Sequence, residues 1–156
     1  MVCQEVKMVK NADEEMNALN NFNPAQTVIV DERFAGLLQG FTPSPDSMAT
    51  IVMDSYAPNH LIYKSKSGKE NVAVFSEIYY QPGWDAFIDG KKAEHFRCNY
   101  ILRGMRIPAG EHTVEFKFEP ASFYTGEKMA LAGSGLILLL LIGVAVREVM
   151  NRRKVV

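Results

Sequence analysis

A chain of 156 residues, with 47% hydrophobic and 22% charged residues, is long enough for one folded domain with accessory segments. Its formal net charge of -1 argues against nucleic acid as a partner. Residues 147–156 nevertheless hold four basic residues and one acidic residue, so the rest of the chain is acidic. An acidic body with a basic tail is typical of a membrane protein.

Residues 1–41 predict a short N-terminal α/β lead-in with strands at Val6–Val9 and Thr27–Val30. Between them, Asn11 followed by Glu14 resembles a capping box at the start of a helix. We expect Met16 and Leu19 to form the apolar face of this helix. The acidic residues 13–15 suit the positive end of the helix dipole, so we interpret them as caps and not as catalytic groups.

Residues 42–122 have the pattern of an antiparallel β-sandwich, with six or seven strands at regular spacing. Asp89-Gly90 predicts a tight hairpin, because a type I′ turn needs positive φ at both central residues. We expect a second hairpin at Pro108–Gly110. In the last strand, Val114, Phe116 and Phe118 alternate with polar residues, which predicts one buried and one solvent-exposed face.

One membrane-spanning helix is predicted at residues 129–146, which contain no charged residue and cover about 27 Å as a helix. Residues 123–128 form the junction, where Phe123 and Tyr124 suit an interfacial aromatic belt. The basic tail at 147–156 should be cytoplasmic by the positive-inside rule. We therefore expect a cell-membrane protein whose main domain is extracytoplasmic, either periplasmic or on the outer face of the inner membrane.

Two segments, Phe75–Lys91 and Phe96–Phe116, resemble the C-terminal region of the YfhO family of bacterial membrane proteins, as does Tyr124–Lys128 before the helix. The resemblance implies a long parent protein with many upstream transmembrane helices. It also implies a likeness to glycosyltransferases that use lipid-linked sugars to modify cell-envelope polymers, with the catalytic acid in an early loop outside this chain. The N-terminus has no apolar signal-peptide region, so we expect the chain to be the C-terminal piece of such a protein.

The resemblance thus predicts an accessory domain and last membrane anchor, with the lipid bilayer and the upstream helices as partners. The alternative is a non-catalytic structural or glycan-binding module of the cell envelope. Neither interpretation requires a cofactor or a metal. The two cysteines leave open whether they pair or remain buried free thiols.

No pattern in the chain predicts a catalytic residue. Asp85 and Asp89 fall on one strand face, but no nucleophile or base accompanies them, and Asp89 is explained by its turn. Carbohydrate recognition needs an aromatic face with polar neighbours, and the chain offers such groups around Trp84. The candidates for contact with a glycan or a lipid-linked sugar are Tyr80, Trp84, Asp85, Arg97 and Arg103. Core packing of the aromatic residues and solvated positions for the arginines remain the alternatives.

Overall fold

The computed structural model describes residues 2–153, which divide into two compact units. The first unit extends to Glu119 and contains all ten strands of the described residues, and the second begins at Pro120 and contains one long helix. In chain order the strands are β1 Glu5–Val9, β2 Thr27–Asp31, β3 Thr50–Ala57, β4 His60–Ser67, β5 Asn71–Ile78, β6 Trp84–Ile88, β7 Lys91–Ala93, β8 Phe96–Cys98, β9 Leu102–Ile107 and β10 Gly110–Phe118. The helices are α1 Ala12–Ala18 and α2 Ala121–Arg153, with 3-10 segments at Leu19–Asn21 and Glu32–Leu38.

Two antiparallel sheets form the sandwich, which confirms the predicted fold class. The larger sheet has the strand order β3-β4-β10-β6-β7, and the smaller has the order β5-β9-β8. Their facing side chains form one core, in which the rings of Tyr63, Phe75 and Phe116 meet edge to face at centroid distances of 4.8 to 6.2 Å. Such edge-to-face contacts add to the stability that burial of the rings provides.

The smaller sheet is covered on both faces, because the lead-in packs against the side that does not face the larger sheet. Ala73 and Phe75 of β5 enter the core between the two sheets, whereas Val72 and Val74 enter a second core with β2 and the 3-10 segment Glu32–Leu38. A strand buried on both faces needs apolar residues at consecutive positions, which explains the apolar start of β5. Cys3 and Cys98 are free, buried thiols of the second core.

The lead-in has the strands and helix that the sequence predicts, with β1 and β2 paired in parallel. Asn11 caps α1 by accepting a hydrogen bond from the backbone N–H of Glu14 at 2.9 Å. The predicted apolar face of α1 is wrong, since Met16 is half exposed and the buried side chain is that of Glu15. A buried carboxylate needs a partner, and Glu15 has one in Arg97.

One of the two predicted hairpins is present. Asp89 and Gly90 have φ values of 51° and 77°, and β6 and β7 pair on either side of them. The prediction of a second hairpin at Pro108–Gly110 is wrong, because β9 and β10 belong to different sheets. That turn instead carries the chain from one layer of the sandwich to the other.

The second unit is the helix α2, whose residues Ala121–Arg147 are long and apolar enough to cross a membrane. The side chains of this span are not buried within the described protein, as expected for a helix whose apolar surface faces lipid. The described part of the chain contains this one candidate span.

Candidate functional site

The environment of Trp84 is set by the turn that precedes β6. Gly83 has a φ of 95°, which favours glycine, and its carbonyl accepts a hydrogen bond from the N–H of Glu119 at 2.7 Å. In the β6–β10 register, Trp84 lies opposite Phe118, and their ring centroids are 5.3 Å apart. Trp84 is therefore half-buried at the end of the larger sheet, on the side that faces the sandwich core.

Arg103 is stacked between two aromatic rings inside the sandwich. Its guanidinium carbon lies 4.7 Å from the ring centroid of Trp84 and 4.5 Å from that of Phe116, and the residue is 1% exposed. Nη2 donates to the carbonyl of Ile78 at 3.3 Å, whereas Nε and Nη1 have no partner among the described residues. Burial lowers the pKa of Arg103, but an arginine keeps its charge, which the two rings stabilise through cation–π contacts.

His95 lies next to Trp84 and is 9% exposed. Its Nε2 is 3.2 Å from the carbonyl of Trp84, which can only accept, so Nε2 carries the proton. Burial, and then the charge of Arg103, lower the pKa of His95, so the ring is neutral at pH 7. Its Nδ1 is an acceptor, and within the described chain it has no hydrogen-bond partner.

A cleft of about 260 Å³ lies beside Trp84 and His95 at the edge formed by β6 and β7. Its lining is mostly polar and includes Gln81, Asp85 and Lys92. Asp85 and Lys92 form an ion pair of 2.7 Å at the edge of the cleft, and their side chains remain partly exposed there. The cleft is smaller than a typical drug-sized pocket of at least about 300 Å³, so it suits a ligand of one sugar ring or less.

The structure brings together only part of the set of glycan candidates. Trp84 and Asp85 both line the cleft, whereas Tyr80 is exposed on the preceding loop and is not among its lining residues. Arg103 lies near Trp84, but its burial corrects the expectation of a solvated position and leaves it inaccessible to a ligand at the surface. Arg97 is held elsewhere, by the network that surrounds Glu15.

That network fastens the lead-in to the smaller sheet. The carboxylate of Glu15 accepts from Nη2 of Arg97 at 2.7 Å and from the backbone N–H of Tyr100 at 2.8 Å. Asp31 lies 3.8 Å from the same nitrogen of Arg97 and pairs with Arg33 at 2.7 Å. The hydrogen bonds from Arg33 hold the pKa of Asp31 below its usual value, although its burial acts in the opposite direction. Arg97 is thus a structural residue, and no sequence spacing links it to Glu15.

The two carboxylates that invited an acid/base interpretation have separate partners. Asp85 pairs with Lys92, whereas Asp89 accepts from His112 at 2.7 Å and from the N–H of Thr113 at 2.8 Å. Those hydrogen bonds lower the pKa of Asp89 and raise that of His112. Each contact fixes the hairpin or the sheet edge, and the two carboxylates are bound separately. In residues 2–153, no three His, Cys, Asp or Glu side chains form a group that could hold a metal ion.

Comparison with known proteins decides the family. The family profile described as Bacterial membrane protein YfhO matches residues 46–128, which is more than half of the chain. This chain belongs to the YfhO family. The match starts just before β3 and ends within α2, so it covers the whole sandwich and the beginning of the apolar helix. No curated protein and no solved structure matches the chain.

Membership of the YfhO family and the apolar helix α2 together make this a membrane protein. The profile match does not include the lead-in, which nevertheless shares a core with the sandwich.

Proposed function

We propose that this chain is the extracytoplasmic accessory domain and last membrane anchor of a YfhO-family protein. The observation that carries the proposal is the charge asymmetry across α2. Arg147 ends the apolar span and three more basic residues follow it before residue 156, whereas the sandwich side of the span is acidic overall. Basic residues are retained on the cytoplasmic side, which directs the sandwich to the outside.

Cysteine accessibility tests this orientation in cells that express the natural gene product. Lys69→Cys places a thiol in the exposed turn between β4 and β5, and Asn151→Cys places one at the end of α2. A membrane-impermeant maleimide should label the thiol at 69 in intact cells and the one at 151 only after permeabilisation. The reverse pattern would place the sandwich in the cytoplasm and end the proposal.

The activity that we propose for the parent protein is glycosylation of cell-envelope polymers from lipid-linked sugars. Support comes from the family resemblance and from the separate structural partners of Asp85 and Asp89, which favour an accessory role for this chain. Deleting the gene should lower the sugar content of an envelope polymer, and the intact gene should restore it. An unchanged polymer would contradict the glycosylation role and leave the topology untouched.

A second candidate, glycan binding by the sandwich itself, is favoured by the cleft beside Trp84. An aromatic ring next to the polar groups of Gln81, Asp85 and Lys92 is suited to a sugar ring and its hydroxyls. Because Arg103 and Phe118 already contact the indole, a ligand reaches only its remaining surface. We expect weak binding, with a Kd near 1 mM or about -4 kcal/mol.

The single tryptophan makes this binding measurable by fluorescence of the full chain in detergent. Glucose and N-acetylglucosamine should each be titrated while the emission of Trp84 is recorded. A saturable change that is lost in Lys92→Ala and kept in Lys91→Ala supports the cleft, since both lysines are on β7 but only Lys92 lines it. A change that is identical in both variants, or absent in the wild type, rejects it.

A further inference from the structure

Three loops converge at the end of the sandwich where β10 finishes. The β3–β4 turn reaches it because the N–H of Phe118 donates to the carbonyl of Asn59 at 2.9 Å. The loop of residues 79–83 joins it through the hydrogen bond from Glu119 to Gly83. The β8–β9 loop is bound to the loop of residues 79–83 through a hydrogen bond of 2.8 Å from the N–H of Tyr79 to the carbonyl of Ile101.

These loops carry no ionisable acid or base. Pro58–Asn59, Tyr79–Gly83 and Asn99–Ile101 contain no Asp, Glu, Lys, Arg or His. The opposite end of the sandwich differs, since its turns include Lys69, Glu70 and Asp89. These three loops are uncharged, whereas the neighbouring edge formed by β6 and β7 carries Asp85, Lys92 and Glu94.

Four of the nine exposed large apolar side chains before Pro120 in the described residues lie at the same end. Tyr56 is 65% exposed, Ile78 68%, Tyr80 55% and Ile101 50%. The two tyrosines are the only exposed aromatic residues of the described chain before Pro120. Tyrosine is enriched at the membrane–water interface, where its ring meets the acyl boundary and its hydroxyl meets water. We call Tyr56, Ile78, Tyr80 and Ile101 the apolar rim.

The chain enters its membrane helix from this end. Only Glu119 and Pro120 separate β10 from α2, and a fully extended link from Phe118 to Ala121 is at most about 11 Å long. From Phe123 or Tyr124 to the uncharged run that begins at Met129, the helix rises by about 7 to 9 Å, which corresponds to the headgroup layer. The end of the domain that bears the rim is thus the end from which the chain continues into α2.

We infer that the apolar rim is a membrane-contact surface, and that it lies in the headgroup region of the bilayer that α2 crosses. Tyr80 and Ile101 lie on uncharged loops, and Tyr56 and Ile78 lie at the ends of β3 and β5, so shallow insertion of these four side chains does not itself bury a charge. Asp54, Glu77 and Glu119 are acids close to the rim in sequence, and the inference assigns them to the hydrated outer part of this layer. This inference holds for either orientation of the chain and is independent of glycan binding.

The test uses the full chain in lipid nanodiscs, with an environment-sensitive NBD fluorophore on one introduced cysteine. Tyr80→Cys and Ile101→Cys place the probe on the rim. Met48→Cys is the matched control, because Met48 is 79% exposed and its loop is bound through Asp46 to Gly68 at the opposite end. Cys3 and Cys98 are buried, burial raises the pKa of Cys3 to about 12, and the unmutated chain serves as the labelling blank.

On the rim, both probes should shift their emission to the blue in nanodiscs and be quenched by lipids with a nitroxide headgroup. The probe at 48 should emit as in water and be quenched by aqueous iodide. Iodide quenching of the rim probes equal to that of the control would overturn the inference. Rim probes shielded from both quenchers would indicate a protein contact, such as a second copy of the chain, and would also overturn it. Unchanged Trp84 emission in each variant verifies that the sandwich is folded.

Discussion

The carboxylate of Glu15 and the guanidinium of Arg97 form a 2.7 Å ion pair that joins α1 to β8 across 82 positions of sequence. Glu15 is fully buried, so its charge depends on Arg97 and on the N–H of Tyr100 for stabilisation. The same contact connects the lead-in, which is outside the family match, to the sandwich, which is inside it.

Replacing Glu15 by Ala should destabilise the protein by about 3 kcal/mol or more, because it leaves the charge of Arg97 largely unpaired. Asp13→Asn on the same helix is the control and should cost below about 1 kcal/mol, since its carboxylate acts only on the helix dipole. Urea unfolding of the full chain in detergent, followed by Trp84 emission, measures both. Equal losses in the two variants would show that the ion pair does not secure the lead-in.

Arg103→Met should be neutral or stabilising, by up to about 4 kcal/mol, because methionine fills a similar volume without a buried charge. The two cation–π contacts favour arginine by about 2 kcal/mol each when desolvated, but two unpartnered guanidinium nitrogens and the burial of the charge oppose them. Arg103→Ala is the comparison and should be clearly destabilising, since it leaves a cavity. If methionine costs as much as alanine, the charge itself contributes to stability.

His95 should make the sandwich less stable in mild acid. Its pKa is lowered on folding, so below the unfolded value of 6.5 the unfolded chain binds the proton first and stability falls as the pH decreases. Unfolding free energies of the wild type and His95→Gln, measured from pH 7.5 to 5, should diverge in that direction. The raised pKa of His112 has the opposite effect, but it is present in both proteins and cancels in the difference. Parallel pH profiles would contradict the neutral, buried state of His95.

Gly104→Ala should destabilise the smaller sheet by about 1 to 3 kcal/mol through overpacking. A Cβ at this position would lie 2.6 Å from Cε2 of Phe96 and 3.1 Å from Sγ of Cys98. Gly36→Ala provides the control, since its Cβ would meet no atom within 4 Å. Thermal unfolding of the two variants should therefore separate them, and a normal melting temperature for Gly104→Ala would mean that Phe96 moves aside at little cost.

The sequence predicted the features that depend on neighbouring residues. The Asp89-Gly90 turn, the Asn11 cap and the alternation along β10 are local patterns, and the structure has all three. The turn at Pro108–Gly110 was assigned wrongly because a turn signal does not determine whether the next strand joins the same sheet. The two-sheet sandwich could be predicted, but the packing of the lead-in against the outer face of the smaller sheet could not.

Of the residues named from the sequence, Trp84 and Asp85 line the cleft, whereas the two arginines do not. Trp84 follows a Pro-Gly turn at the start of a strand, and the structure places it beside a cleft. Arg97 and Arg103 cannot be distinguished from surface residues in the sequence alone. The partner of Arg97 is Glu15, 82 residues upstream, and the rings that stack on Arg103 belong to other strands. His95 gave no signal, since a lone histidine becomes informative only when its buried neighbours are known.

The connection of α2 to β10 has a mechanical consequence. β10 is the middle strand of the larger sheet, bonded to β4 along Gly110–Lys117 and to β6 along Val114–Phe118. A force applied through α2 enters the sandwich through this strand and is shared by two hydrogen-bond ladders. An anchor on the edge strand β3 would transfer the same force to a single ladder, the one with β4. The fold therefore attaches its membrane tether to a strand that is held by neighbours on both sides.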